Sequence, residues 1–337
     1  MTTATSSVLS RPLIWATLIG TLQRLIRHLA LPTFLAVACA LAQGAPIPSR
    51  VEQIPVTIDG ESVHLQMRIY KPAGQGKFPT LVFNHGSTGF GMDSTRFTKS
   101  VDVPAVAAFF VQRGWAVVIP ARRGRAGSEG QYDEGFSLIR ALGYSCIPSR
   151  SLAGADRALR DIDAAMSAIL QMPFVDIDRV VIGGVSRGGA LSVAYAGTHP
   201  SQVRGVINFV GGWLGMPCPT MGSVNQSVLN RGSAFPGESI WLYADNDSYY
   251  SLSHSRDNFA AFTAAGGKGL FYELAVPAEN GHWILGFPAV WATQVEAYLE
   301  HLGLPIRVQG DSPPVAQPCA SASTPCHRGS NAALLPH

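Results

Sequence analysis

The hydrophobic positions after residue 50 alternate between short apolar runs and stretches with helical spacing. Short apolar runs are typical of buried strands, and a three-to-four-residue apolar spacing is typical of helices. The runs predict strands at residues 51–58, 63–70, 79–84, 115–120, 179–183, 206–210, 239–244 and 270–276. The spacing predicts helices at residues 105–113, 159–170, 187–199 and 287–302. Strands that alternate with helices predict an α/β fold, with a mostly parallel sheet covered on both faces.

Two internal segments depart from this alternation. Residues 121–151 are rich in Gly and Arg, and residues 211–238 are rich in Gly, Pro and Ser. Loops of this length in a compact domain are usually functional or disordered. After residue 304 the composition turns to Pro, Ser and Ala, so we expect residues 305–337 to be a flexible tail behind a catalytic domain at 43–304.

The first 42 residues have the pattern of an export signal. Arg24 and Arg27 precede an apolar run at 29–42, and Ala40-Leu41-Ala42 offers small residues to a signal peptidase. This predicts a periplasmic or secreted protein without stable membrane insertion after cleavage. Two alternatives stay open: a membrane anchor, and a lipid anchor at Cys39, which follows a weak lipobox.

Charge and cysteine content narrow the functional classes. The chain has 25 basic and 22 acidic residues, and the predicted signal contains three of the basic ones and none of the acidic ones. The charges outside the predicted signal are nearly balanced and form no long basic run, which argues against nucleic-acid binding.

Four cysteines follow the signal, and an even number in an exported chain favours disulfides over a metal site. Cys146 and Cys218 lie in the two irregular segments, which leave strands at the same edge, so we predict that they bond. Cys319 and Cys326 would then pair or stay free.

The strongest chemical motif is Gly184-Val185-Ser186-Arg187-Gly188. It follows a predicted strand and opens a predicted helix, the context in which G-x-S-x-G presents a nucleophilic serine. So tight a turn needs neighbours with almost no side chain, which the glycines supply. The alternative is an ordinary glycine-rich turn. The helix N-terminus directs free N–H groups towards developing negative charge.

A second motif, Asn84-His85-Gly86-Ser87-Thr88-Gly89, follows another buried strand. A serine that attacks an acyl carbon needs two backbone N–H groups for the oxyanion. We predict that Arg187, after the nucleophile, supplies one and that Ser87 supplies the other. His85 is interpreted as a structural residue at the strand end, although it is also a possible base.

A serine nucleophile needs a base, and the base needs an orienting carboxylate. His282 lies in a loop between the last strand and the last helix, where a base reaches back over the sheet. His254 is the main rival. Asp245 and Asp247 both follow the strand at 239–244, and the outward curve of this turn favours Asp247 as the carboxylate.

The order of the segments HGSTG, GVSRGG, YADND and GHW resembles the α/β-hydrolase superfamily, in its dienelactone-hydrolase-like and prolyl-oligopeptidase-like branch. The resemblance covers about residues 52–303. It implies the α/β-hydrolase fold, a triad of Ser186, Asp247 and His282, and an oxyanion hole at Ser87 and Arg187. Two departures matter. Dienelactone hydrolases proper use a cysteine nucleophile, and oligopeptidases carry a propeller domain for which 337 residues leave no room.

Several residues at the same edge are candidates for substrate binding. Trp213, Tyr249 and Trp283 would contact an apolar or aromatic acyl group, or would pack at the rim. Arg122, Arg123 and Arg125 follow a strand at this edge. They would hold a substrate carboxylate or pair with Asp133 and Glu134, and pairing is the favoured interpretation.

We therefore expect a hydrolase of small-molecule carboxylic esters that works through an acyl-enzyme, without cofactor or metal. Two alternatives remain open. One is an acyltransferase or peptidase with the same triad, and the other is a non-catalytic binding module on the same fold.

Overall fold

The sheet has eight strands, in a computed structural model that describes residues 47–306. The strands are β1 (Ser49–Ile58), β2 (Glu61–Tyr70), β3 (Phe78–Asn84), β4 (Ala116–Pro120), β5 (Val175–Val185), β6 (Gly205–Phe209), β7 (Ser239–Ala244) and β8 (Gly269–Leu274). Their spatial order is β1-β2-β4-β3-β5-β6-β7-β8. The β1–β2 and β2–β4 pairs are antiparallel and the other pairs are parallel. The predicted mostly parallel sheet is confirmed.

Between residues 47 and 306, six helices cover the sheet: α1 (Pro104–Gln112), α2 (Pro148–Ile169), α3 (Arg187–Thr198), α4 (Met221–Leu229), α5 (Leu252–Ala264) and α6 (Pro288–His301). Helices α1 and α6 contact each other, whereas α2 to α5 form a second connected group. Both faces of the sheet are therefore covered, which explains why β4, β6 and β7 are buried along their whole length.

The two irregular segments are more ordered than the sequence suggests. Helix α2 begins at Pro148, eleven residues before the predicted start, because its first turns are polar and give no apolar spacing. Helix α4 lies within the segment 211–238, for which the sequence predicts a loop. Its composition of Gly, Ser and Asn is unfavourable for a helix in isolation, so tertiary packing decides its conformation.

Other predictions fall partly or wholly outside the described residues. The predicted signal at 1–42, the alternative lipid anchor at Cys39, and Cys319 and Cys326 all lie there, as does the tail beyond residue 306. Within residues 47–306, none of the helices has the length and apolarity that spanning a membrane requires. Cys146 and Cys218 are joined by a disulfide.

Candidate active site

Ser186 lies in a strained turn between β5 and α3. Its backbone angles are φ 57° and ψ −125°, a conformation that L-residues rarely adopt and that is concentrated at functional sites. The turn depends on its glycines. A Cβ atom at Gly184 would lie 2.5 Å from the Asn84 carbonyl oxygen, and one at Gly188 would overlap the same oxygen. The backbone of β3 can therefore approach the turn closely only because both positions lack a side chain.

His282 and Asp247 form a buried hydrogen-bonded pair. Asp247 Oδ2 lies 2.8 Å from His282 Nδ1, and both side chains are at least nine-tenths buried. Asp247 Oδ1 accepts hydrogen bonds from the backbone N–H groups of Tyr249 (2.7 Å) and Tyr250 (3.1 Å). The carboxylate is thus fixed in orientation, and as an acceptor it favours the tautomer with the proton on Nδ1 and a free Nε2. Asp245 is exposed.

The loop that carries His282 is tied to the turn that carries Asp247. Asn280 Oδ1 accepts from the backbone N–H groups of His282 (3.0 Å) and Ser248 (3.2 Å), and Asn280 Nδ2 donates to Ser248 Oγ (2.7 Å). His282 and Ser186 line the same cavity. In residues 47–306 no hydrogen bond within 3.5 Å joins the two side chains, and catalytic hydrogen bonds are often longer before substrate binds.

His254, the alternative base, has other partners. It lies in the first turn of α5, and its Nε2 is 2.9 Å from the side-chain nitrogens of Asn225 and Asn258. Burial lowers the pKa of His254 below its ordinary value. Because His254 Nε2 accepts hydrogen bonds from two amide groups, it is not available to accept a proton from Ser186. This favours His282 as the base.

The loop after β3 passes directly beside the serine. A Cβ atom at Gly86 would lie 3.1 Å from Ser186 Cβ, so the next residue, Ser87, brings its backbone to the cavity. Arg187 is the first residue of α3, and its N–H has no partner within the helix. Ser87 and Arg187 therefore both line the cavity beside Ser186, and their role as oxyanion donors stays a prediction.

His85 is buried under this loop. Its Nε2 accepts from the backbone N–H of Arg122 (3.1 Å), so its Nδ1 carries the proton and donates to the Gly86 carbonyl (2.7 Å). Burial, together with the charges of Arg122 and Arg125, lowers the pKa of His85 well below its ordinary value. A neutral histidine with both nitrogens engaged supports the structural interpretation.

The side chain of Arg187 joins the expected Arg122–Glu134 pair in a buried ionic network, a contact that the sequence did not indicate. Glu134 Oε2 lies 3.2 Å from Arg187 Nη1, and Glu134 Oε1 lies 2.6 Å from Arg122 Nε. Burial opposes ionisation of Glu134, but Arg122 and Arg187 outweigh it and lower the pKa of the carboxyl below its ordinary value. The network connects the loop 121–146 to the residue after the proposed nucleophile.

The expected pairing of the three arginines is correct only for Arg122. Arg123 instead bonds Asp161 (2.6 Å), and Asp133 accepts from the backbone N–H of Gly135 rather than from an arginine. Arg125 lies over the ring of Tyr132 and contacts the backbone carbonyl of Gly86. Arg123 is thus part of the scaffold, while Arg125 lines the cavity.

Two further tyrosines lie near the serine: Tyr250, which follows the candidate Tyr249 in the sequence, and Tyr144, which the sequence does not indicate. The Tyr250 hydroxyl donates to the Gly212 carbonyl (2.8 Å) and lies beside the Ser186 side chain, and burial raises the pKa of Tyr250. The ring of Tyr144 stacks on the Arg187 guanidinium at 3.6 Å, and its hydroxyl contacts Thr88 Oγ1 (3.2 Å). Only long-range packing brings Tyr144 to the site, so local sequence patterns carry no signal for it.

The cavity in front of Ser186 has a volume of about 1070 Å³ and a mostly apolar lining. All three aromatic candidates line it in different ways. Trp283 is exposed, Tyr249 is partly buried with its ring 4.5 Å from that of His282, and Trp213 is fully buried behind Arg187. The Cys146–Cys218 disulfide lies in the wall. The described part of the chain has no cluster of His, Cys, Asp and Glu side chains arranged for a metal ion.

One family profile matches part of the chain. The profile of the S15 family of X-Pro dipeptidyl-peptidases matches residues 59–216, a range that includes Ser186 and ends before Asp247 and His282. No curated protein sequence matches the chain significantly.

Solved structures are similar in fold. An esterase from Pyrococcus furiosus superposes with a TM-score of 0.53 at 13% identity, over 77% of this chain and 95% of its own. An acetyl xylan esterase from Paenibacillus gives 0.51 at 15% identity, over 80% and 93%. An acylaminoacyl peptidase from Pyrococcus horikoshii gives 0.52 at 15% identity, over 76% of this chain but only 41% of its own.

Proposed function

We propose that this α/β-hydrolase is a serine esterase that cleaves carboxylic esters through an acyl-enzyme. One observation carries the proposal: a serine in a strained turn lines the same cavity as a histidine whose Nδ1 is held by a buried carboxylate. This is the arrangement that nucleophilic catalysis by serine requires, because the base must be oriented before it can accept the hydroxyl proton.

The proposed reaction has two halves. In the first, His282 Nε2 takes the Ser186 proton as Oγ attacks the ester carbonyl, and the N–H groups of Ser87 and Arg187 stabilise the oxyanion. Collapse breaks the ester bond, and the imidazolium gives its proton to the departing alcohol. In the second half, His282 deprotonates water, which attacks the acyl-enzyme. The carboxylic acid leaves and Ser186 regains its proton.

The preference for esters is tested with matched substrates. The purified protein is assayed with p-nitrophenyl esters of increasing acyl length and with p-nitroanilides of the same acyl groups. We expect ester hydrolysis that Ser186→Ala abolishes while the circular dichroism spectrum is unchanged. Amide cleavage at a comparable kcat/KM would contradict the ester assignment while preserving the triad.

A peptidase is the second candidate, because the S15 profile matches residues 59–216. The discriminating substrate is Ala-Pro-p-nitroanilide, which releases p-nitroaniline only when the bond after proline is cleaved. The esterase proposal expects no turnover of it under conditions where p-nitrophenyl butyrate is hydrolysed. Turnover lost in Ser186→Ala would instead support the peptidase.

We also propose that the protein acts in the periplasm or outside the cell. The Cys146–Cys218 disulfide supports this location, because disulfides persist in oxidising compartments and are rare in the cytosol. Fractionation of cells producing the full chain tests it: mature protein that begins after residue 42 is expected outside the cytoplasm. Full-length protein confined to the cytosol would contradict it.

A further inference from the structure

Exposed apolar side chains are concentrated around the mouth of the cavity. Within residues 47–306, ten large apolar side chains are exposed. Five of them line the cavity: Phe90, Met92, Leu142, Met216 and Trp283. Leu138 and Ile139 lie in the loop 121–146, which forms one wall, and Ile147 directly follows this loop. We call these eight residues the apolar rim. Clustered exposure of this kind marks an interaction surface, whereas single exposed apolar residues need no explanation.

The wall loop that presents much of the rim is held in place. The backbone N–H of Ser137 donates to the Gly143 carbonyl (2.8 Å), and that of Ser145 donates to the Gly135 carbonyl (2.8 Å). The Cys146–Cys218 disulfide fixes the end of the loop. Leu138 and Ile139 stand at its tip, exposed by 81% and 65%. Their exposure is therefore a property of an ordered segment.

The charge at the tip of the loop is turned inward. The Arg140 guanidinium stacks on the Phe136 ring at 3.8 Å and donates to the Tyr132 carbonyl. Because the Arg140 side chain points inward, the outward surface formed by Leu138, Ile139 and Leu142 stays apolar. A surface with these properties favours contact with an apolar phase over contact with a charged partner.

We propose that the substrate is a water-insoluble ester and that the apolar rim docks onto the surface of its aggregated phase. The inference rests on the proposed esterase function and deepens it. Five rim residues are also cavity residues, so the docking surface and the site around Ser186 are continuous. A protein bound to the apolar rim would block the entrance of the cavity. An aggregated ester phase bound there would instead supply substrate molecules to the cavity.

Droplet binding tests docking without catalysis. The Ser186→Ala protein is mixed with a tributyrin emulsion, and the fraction that floats with the droplets is measured. Adding Leu138→Ser and Ile139→Ser, which lie outside the cavity lining, should lower the partition coefficient by at least about tenfold, because two apolar side chains no longer leave water. The matched control is Ile177→Ser, since Ile177 is 53% exposed and does not line the cavity. It should leave binding unchanged.

Hydrolysis of emulsified and dissolved esters gives a second test of the docking proposal. With intact Ser186, the double variant should lose activity on emulsified tributyrin by a similar factor, while its kcat/KM on dissolved p-nitrophenyl butyrate stays within about twofold of the wild type. Equal losses on both substrates, undiminished droplet binding, or the same loss in Ile177→Ser would overturn the inference. So would a dimer in size-exclusion chromatography that the double variant dissociates while droplet binding is absent. Droplet binding without hydrolysis of either ester would refute the esterase proposal alone.

Discussion

At the residue scale, the proposed chemistry depends on which carboxylate orients His282. The strand β7 ends at Ala244, and the chain turns so that Asp245 is exposed and Asp247 is buried. Of these two carboxylates, Asp247 is the one that contacts the imidazole, and two backbone N–H groups hold its second oxygen. A carboxylate placed in this way positions the ring and stabilises the imidazolium that forms during the reaction.

The pair Asp247→Asn and Asp245→Asn tests this assignment. Asp247→Asn should lower kcat by up to about ten-thousand-fold, because an amide no longer selects the productive tautomer. Asp245→Asn removes the same charge two residues away and serves as the matched control, with kcat nearly unchanged. Steady-state kinetics on p-nitrophenyl butyrate give both values. Inactivity of the Asp245 variant beside an active Asp247 variant would show that the acid is misassigned.

The residues of the proposed triad were predictable because each lies in a local context that its chemistry requires: a strand-to-helix turn, a turn after a strand, and a loop before the last helix. The contact between Glu134 and Arg187 has no such context. Glu134 reaches Arg187 across 53 positions of the chain, and only the folded structure determines that contact.

At the element scale, the loop 121–146 holds the turn beside Ser186 through buried charges. Glu134 is the carboxylate between Arg122 and Arg187, and its pKa is lowered in the folded protein. A carboxyl with a depressed folded pKa contributes stability above its unfolded pKa, near 4.3, and this contribution is lost as the pH falls through the folded value.

Glu134→Gln should therefore destabilise the protein in a pH-dependent way. At pH 7 we expect the free energy of unfolding to fall by about 3–5 kcal/mol, because two buried guanidinium groups lose their counter-ion. The difference from the wild type should shrink as the pH falls from the unfolded pKa towards the lowered folded pKa, because Glu134 itself then becomes protonated. Urea denaturation across this pH range gives the values. The control is Glu129→Gln, an exposed carboxyl in the same loop, and it should change stability little. A difference between Glu134→Gln and wild type that stays constant down to pH 2 would contradict the assignment.

The strands were predicted within a few residues. Burial on both faces imposes continuous apolar runs on the inner strands β3, β4, β6 and β7. The helices were predicted less well. The start of α2 is polar, and α4 is rich in Gly, Ser and Asn, so the sequence predicts neither of these helical segments. Packing against neighbouring helices stabilises them more than their intrinsic helix propensity does.

At the scale of the whole molecule, the mostly parallel sheet brings the carboxyl ends of β3, β5 and β7 to one edge, where distant segments assemble a single cavity. The disulfide between Cys146 and Cys218, which are 72 positions apart, links two of these loops. The prediction that these two cysteines bond came from placing both loops at this edge.

Removing the disulfide should weaken the whole fold. The double variant Cys146→Ala, Cys218→Ala should have a free energy of unfolding lower by about 2–5 kcal/mol, because the unfolded chain regains the freedom that the cross-link removes. Urea denaturation measures the change. Reducing agent should reproduce it in the wild type and have no effect on the variant. Equal stability of the oxidised wild type and the variant would contradict a structural role.

The central claim is that Ser186 is the nucleophile, and covalent labelling tests it most directly. The purified protein is treated with a fluorophosphonate, and peptide mass mapping locates the label. The account predicts one equivalent on Ser186, with labelling lost in Ser186→Ala and strongly slowed when His282 is replaced by Ala. Label on another residue, or hydrolysis of p-nitrophenyl butyrate that persists in Ser186→Ala, would contradict it.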